Sequence, residues 1–294
     1  MLTAEQIRDW KQSGKISAEA LQYGKSLIKP GASMLEVLEK IEVKIKELGG
    51  EIAFPAQMAA NDIAAHFCPD ADDKIILEDQ VLSLDIGAHV NGHVTDNALT
   101  VDLSGKYTEL VKASEHALHE VMKVLEVGLE IGEIGKIIEE TIASYGYKPV
   151  RNLSGHGVGI YNVHIAPNIP NCVNQIIQKL EKGMVIAIEP FASTGAGVVV
   201  EKGNPTVFSL LQSRSVRTGF VRDVLKEIEQ RNELPFTTRW LLKKFSKAQV
   251  TYALKQLEEQ HIIRSYPPLV DRAGGMVSQA EKTFLIDDKI EVLT

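Results

Sequence analysis

The chain has 294 residues, 44% of them apolar and 24% charged, with a formal net charge of −7. That is room for one large domain or two ordinary ones with an ample core, and the negative balance disfavours a nucleic-acid binder held by bulk charge. Two cysteines, Cys68 and Cys172, with no CxxC, argue against a disulfide scaffold or a thiolate zinc site and fit a reducing compartment.

The first residues, "MLTAEQIRDWKQSGKISAEA", are charged and helix-like, with no apolar core of a signal peptide. No apolar run is long enough to span a membrane, so a cytoplasmic protein is expected. Two amphipathic helices open the chain. Ile7, Trp10, Ala18, Leu21 and Leu27 recur at helical spacing in the first, and Leu35, Leu38, Ile41 and Ile45 form the predicted stripe of the second. Ser33 with Glu36 reads as a capping box, and Gly49-Gly50 ends the helix.

Strand signals follow in "KIILEDQVLSLDIGAHV" and "HVTDNALTVDL", separated by Asn91-Gly92, a hairpin-turn dipeptide. His89 and His93 stand four apart, a zinc-helix spacing. The turn residues between them break any helix, and the two histidines are expected near a turn, exposed and not as ligands. Asp85 ends an apolar run, where an unpaired carboxylate is costly to bury, and Asp96 lies on the return strand. Two acids brought together repel unless a cation sits between them.

Two further helices are predicted in "YTELVKASEHALHEVMKVLEVG" and "EIGKIIEETIASYGY". His116 and His119 in the first belong to a solvated face. A glycine-rich patch, "NLSGHGVGIYNVH", precedes a strand at "MVIAIEPFAS" and another in "TGAGVVVEKG". The order helix, helix, strands thus occurs twice. His156 sits between glycines that permit close approach or strained angles. Glu189 ends a strand, with Pro190 holding it extended. Glu281 lies in a later strand, "SQAEKTFLI". Each of these has a bland reading as a core histidine or a paired acid.

Residues 206–266 change texture, to short amphipathic helices ending in a strand. They resemble a winged-helix insertion within a domain made of 1–205 and 267–294. Arg214, Arg217, Arg222, Lys226, Arg239, Lys243, Lys244 and Lys247 make the segment locally basic.

The ordered motifs "NDIAAHFCPD", "SLDIGAHVNGHVTDNA", "NLSGHGVG" with "YNVH", "AIEPFAS" and "SQAEKT" resemble those of methionine aminopeptidase over nearly the whole chain. The insert before the last motif is similar to that of the type 2 subfamily, and the short start to that of its archaeal members. The resemblance implies an α/β (α+β) pita-bread fold, with pseudo-twofold halves around a central antiparallel sheet. It implies two divalent ions (Co, Mn, Fe or Zn) held by Asp85, Asp96, His156, Glu189 and Glu281. Four carboxylates match two such ions in charge, and an oxygen-rich shell does not choose among the metals.

By the same resemblance, a metal-bridging hydroxide cleaves the first peptide bond. Glu189 moves the proton, His66 contacts the scissile amide and His164 steadies the carbonyl oxygen. Phe54, Val163, Phe191 and Tyr266 match a methionine pocket, and aromatic rings suit a thioether. Gln57, Val207 and Lys282 depart from common family residues and bear on fine specificity. The implied partners are peptides and nascent proteins beginning with Met. A transient ribosome contact through the basic insert, no specific DNA binding, no membrane and a monomeric state are expected. The alternatives are an inactive pita-bread protein that binds ribosomes or nucleic acid, and a proline-directed peptidase.

Overall fold

The computed structural model describes residues 2–294. Helix α1 (Ala4–Leu27) starts at Thr3, whose hydroxyl accepts from the Gln6 N–H while the Gln6 side chain accepts from the Thr3 N–H. Its buried face is largely small: Ser13, Gly14, Ser17, Ala20 and Gly24 alongside Trp10, Ile16 and Leu21. The predicted stripe is therefore only partly the packed one. Ala18 and Leu27 are half-buried, because close approach to the neighbouring sheet selects for small residues over apolar ones.

Helix α2 (Met34–Glu47) buries Met34, Val37, Leu38, Ile41 and Ile45, whereas Leu35 is half-buried. Only one arm of the predicted capping box forms, with Ser33 Oγ accepting from the Glu36 N–H. At the other end Gly49 has φ of 86°, and Gly49 and Gly50 donate back to Lys46 and Ile45, the pattern that glycine permits.

Strands β1 (Glu51–Ala60) and β2 (Ile63–Ala65) lead to the hairpin of β3 (Val81–Val90) and β4 (His93–Asp102). The sheet order is β1-β3-β4, antiparallel, and its core against α1 and α2 includes Leu38, Ile41, Leu82, Leu84 and Ile86. Asn91 and Gly92, with φ of 50° and 84°, make the predicted two-residue turn. The second half repeats the plan. Helices α3 (Thr108–Val124) and α4 (Ile131–Ser144) precede β5 (Lys148–Pro149), β6 (Ser154–Gly159), β7 (Asn162–Pro170) and β8 (Val185–Ile188). Ile134, Ile138, Ile186, Ile188 and Phe284 centre its core. His116 lies on the exposed face of α3, bonded to Glu120 and Tyr145, as the helix pattern suggests.

Strands β9 (Phe191–Ser193) and β10 (Val199–Glu201) complete this half. The segment beyond them carries β11 (Val207–Leu210), α5 (Gly219–Glu229), β12 (Phe236–Thr237), α6 (Thr238–Leu241), α7 (Lys247–Glu259) and β13 (Ile263–Tyr266). It has its own sheet, ordered β12-β11-β13, and its own core around Phe208, Val224, Leu257 and Ile262.

Its basic surface is smaller than predicted. Arg239 is 1% exposed and bound to Glu42 of α2, while Lys243, Lys244 and Lys247 pair with Glu39, Glu227 and Asp72. Burial of Arg239 follows from tertiary packing that its local sequence cannot signal.

The chain then returns through β14 (Leu269–Asp271), β15 (Val277–Gln279), β16 (Lys282–Leu285) and β17 (Glu291–Val292). Strand β16 joins the sheet β17-β16-β8-β6-β7. The two large sheets meet along β4 through the single bridges Ala98↔Glu281 and His93↔Ile160. Hydroxyls reinforce the seam on both sides of Ala98. Thr283 Oγ1 accepts from the Asp96 N–H (2.8 Å) and donates to its carbonyl (2.7 Å), and Thr100 Oγ1 does the same for Gln279 (2.8 and 2.7 Å).

Candidate metal centre

The seam between the halves is where the acids meet. On β3–β4, Asp85 pairs with Ala98 and Asp96 with Gly87. The aspartates are thus two positions apart in register, so they emerge on one face. Glu281 bridges to Ala98 from the opposite side, which sets Asp85 and Glu281 on either flank of one β4 residue. Strand β8 stops at Ile188, opposite Lys282, and one further step in that register brings Glu189 level with Glu281. His156 on β6 pairs with Ala187 of β8. The Thr283 and Thr100 hydroxyls therefore hold the backbone register that gathers these groups.

Glycine flanks His156 because of space, not strain. A Cβ on Gly155 would lie 2.4 Å from the Ala187 carbonyl oxygen, and one on Gly157 2.3 Å from that of Ala166. Neither has a positive φ, so close approach is the reason for both.

His156 Nε2 lies 3.7 Å from Asp96 Oδ2 and 3.6 Å from Glu189 Oε1. Ligand atoms of Asp96, His156 and Glu281 all fall within 4.8 Å of one another. Asp85 joins them, its carboxyl within hydrogen-bonding reach of Asp96. Gln279 Nε2 donates weakly to Glu189 Oε2 (3.4 Å) and Glu281 Oε2 (3.3 Å). His156 Nδ1 stands 3.1 Å from the Gly157 carbonyl, which can only accept. The proton therefore belongs on Nδ1, and Nε2 turns a lone pair toward the acids.

The electrostatics are those of a site built for cations. Burial raises Asp85 to about 7. Burial first, then the neighbouring acids, pushes Asp96, Glu189 and Glu281 well above the ordinary carboxylate range. Burial, helped by His164, lowers His156 to about 3 and keeps it neutral. Asp85 Oδ1, Asp96 Oδ1 and Glu281 Oε1 are buried without any hydrogen-bond partner among the described residues. Orphaned buried oxygens are rare in folded proteins. Four carboxylates, one neutral imidazole and lone pairs left open fit divalent cations, which prefer this oxygen-rich set.

The acids line a cavity of about 580 Å³. His66, His164, Phe54, Val163, Phe191 and Tyr266 also line it, as do Gln57 and Val207. His164 packs on His156 with ring centroids 4.2 Å apart, and His66 on Tyr266 at 5.4 Å. Both are lowered to about 4: His66 by burial and then by the charges of His164 and Arg264, and His164 by burial and then by Arg264. His66 has φ of 64°, a conformation that costs energy and recurs at functional sites.

Lys282 points away, to the carbonyl of Thr294. His89 and His93 lie outside the acid cluster and are 8% and 6% exposed, so they are not the exposed turn residues predicted. They lie at the turn end of β3 and β4 but on opposite faces, with α1 over His93 and Tyr161 over His89. His93 packs on Trp10, and His89 accepts from the Gly92 N–H. Gln279, Ser209, Glu233 and Arg264 are cavity or centre residues that motif reading passed over. Only Gln279 had a signal, standing two residues before Glu281 on the same strand face.

Residues 8–218 match the model of metallopeptidase family M24. The chain belongs to that family. It is 43% identical to the methionine aminopeptidase of Archaeoglobus fulgidus, over 94% of each chain. To that of Methanocaldococcus jannaschii it is also 43% identical, over 96% of each. Among solved structures, the methionine aminopeptidase of Thermotoga maritima superposes with a TM-score of 0.73 at 24% identity, covering 100% of this chain and 98% of that one. The fold is therefore pita-bread, with its two halves closing on the acid cluster, and the family is one of metal-dependent hydrolases.

Proposed function

We propose that this member of the family removes the N-terminal methionine from peptides and nascent proteins. One observation carries the reading most: four buried carboxylates and a neutral imidazole, with unpartnered oxygens, form the floor of a cavity walled by Phe54, Val163, Phe191 and Tyr266. Asp85, Asp96, His156, Glu189 and Glu281 hold two divalent ions in this reading. When bound, such ions act as Lewis acids and lower the pKa of water.

The chain's own groups do the rest. Glu189 takes a proton from the attacking water and returns it to the leaving amide nitrogen, with Gln279 orienting its carboxylate. Neutral His164 and His66 donate hydrogen bonds, His164 to the carbonyl oxygen as it gains charge and His66 at the scissile amide. The apolar walls exclude water and receive the thioether side chain. The free α-amino group must reach the ion-filled floor of the cavity, which limits cleavage to the first residue.

The separate core of 206–266 supports a winged-helix-like insertion in a catalytic domain of 1–205 and 267–294. Arg214, Arg217, Arg222 and Lys226 remain exposed there and support a salt-sensitive contact with ribosomal RNA. Cosedimentation with ribosomes that persists unchanged in these four as glutamines would remove that contact. All five metal-binding groups come from one chain, consistent with a monomer acting in the cytoplasm, and no described helix is long and apolar enough to cross a membrane.

The test is hydrolysis of Met-Gly-, Met-Ala-, Ala- and Xaa-Pro-peptides by protein supplied in turn with Mn, Fe, Co and Zn. Release of free methionine from the first two alone is expected. Cleavage confined to the Xaa-Pro set would instead favour a proline-directed peptidase, and silence on all, with every metal, the binding-protein reading.

A further inference from the structure

The wall that the 206–266 segment gives to the cavity is a two-stranded ladder with two unlike faces. On β11 and β13, Val207 pairs with Tyr266 and Ser209 with Arg264. All four line the cavity. Phe208, between the two rungs, and Ile263, just beyond them, point the other way into the segment's own core. The cavity face therefore runs in rungs. The inner rung, Val207 and Tyr266, stands beside His66 and is apolar. The next, about 7 Å along the strands, is polar: Ser209 Oγ bonds to the Tyr266 hydroxyl at 3.0 Å, and Arg264 stands opposite Ser209.

Arg264 is exposed, and its guanidinium lies over the Tyr266 ring, 5.3 Å from the centroid. Among the described residues it has no carboxylate partner. Its charge still reaches both cavity histidines, His66 and His164. The cation thus sits one rung outside the groups that face the scissile bond.

We infer that Arg264 is a specificity-determining residue that favours an acidic side chain just downstream of the bond cleaved; this rests on the methionine aminopeptidase reading. A substrate with its first side chain against the inner rung and its amino group on the acids must leave along the ladder. An extended peptide advances about 3.3 Å per residue, so the second residue after the scissile bond comes level with Arg264. A carboxylate there meets an unpaired guanidinium, and a lysine there meets a like charge.

One other charge from the same segment lines the cavity: Glu233, in a turn where Asn232 and Glu233 have φ of 52° and 70°.

The experiment compares kcat/KM for Met-Gly-Asp-, Met-Gly-Ser- and Met-Gly-Lys-peptides in the wild type, Arg264→Ala, Arg264→Glu and Glu233→Gln. The wild type is expected to prefer Asp over Lys by about threefold to fivefold at low salt, the scale of an exposed ion pair, and less at high salt. Arg264→Ala should level the two, and Arg264→Glu should invert them, an outcome that misfolding cannot produce. Glu233→Gln should keep the wild-type order. The same Asp-to-Lys ratio in Arg264→Glu as in the wild type overturns the inference, and so does inversion in Glu233→Gln instead. If the wild type releases no methionine even from Met-Gly-Ser, the enzymatic reading itself has failed and the inference falls with it.

Discussion

Two regions of this molecule bury carboxylates, and they neutralise them in opposite ways. At the seam between α2 and the 206–266 segment, Glu42 is 6% exposed and fully engaged. Its oxygens accept from both ends of the Arg239 guanidinium, from Trp240 Nε1 at 3.0 Å and from the Ala56 N–H at 3.2 Å. At the seam between the two halves, Asp85, Asp96, Glu189 and Glu281 gather with no lysine or arginine of the described residues acting on them and with oxygens left unpartnered. In the first, the acid's charge and both its oxygens are met within the chain. The second is complete only with cations from solution. A buried acid beside a guanidinium is structural; a buried cluster of acids without one is a binding site.

The largest effect that would break this contrast is on turnover. Glu189→Gln keeps the size of the side chain and an oxygen, but loses the group that moves the proton. Release of methionine from Met-Ala-peptides should fall by about 10²–10⁴-fold; near-normal kcat would remove Glu189 from its role.

In the self-neutralised seam the expected loss is of stability. Glu42→Gln should cost about 3–5 kcal/mol by leaving Arg239 buried without its counter-charge, measured by urea unfolding. Combining it with Arg239→Met should restore part of that. A cost under about 1 kcal/mol for the single change would mean the pair is not what joins the 206–266 segment to α2.

Cations should discriminate between the two regions directly. Divalent ions at about 100 times their Kd should stabilise the wild type by about 2.7 kcal/mol and chelation should reverse it, with the gain largely lost in Asp96→Asn and kept in Glu42→Gln. Equal unfolding midpoints with ion and with chelator would contradict a cation site.

Asp271 sharpens the comparison with a third solution, because its acid is satisfied by neutral donors. It is 2% exposed, and burial alone would raise it. The N–H groups of Ala196, Ala273 and Gly275 and the Ser193 hydroxyl outweigh burial and hold it below its ordinary value. The folded-state pKa is depressed, so the stabilisation is full above the unfolded value of about 3.9 and is lost as pH falls through the folded one. The wild type should exceed Asp271→Asn by about 1–3 kcal/mol at neutral pH. That lead should narrow below about pH 4. A lead constant from pH 7 to pH 2 would mean the carboxylate charge is not what the loop holds.

The helices, the β3–β4 hairpin and the strand end before Glu189 were legible because they rest on local rules: apolar period, an Asn-Gly turn, proline after a strand; Asp85 falls in the middle of β3 and not at its end. Residue order also carried the five metal-binding candidates, since motif resemblance needs no coordinates. The packed face of α1 was not legible, because Ser13, Gly14 and Gly24 are chosen by the distance to a partner, which no period encodes. The burial of His89, His93 and Arg239 was hidden for the same reason. Each is polar by composition, and is buried only because α1, Tyr161 or Glu42 arrives from far along the chain.

By itself, then, the sequence determined which groups could bind cations, and how each strand presents its own acid. Only the tertiary structure decided that they meet. Thr100 and Thr283 fasten β4 to the returning chain, and Ala98 pairs with Asp85 on one side and Glu281 on the other. Four acids gathered without cations repel or must take up protons as they are buried. The backbone register and the burial of two apolar cores force them together, and that enforced proximity is what makes them a site.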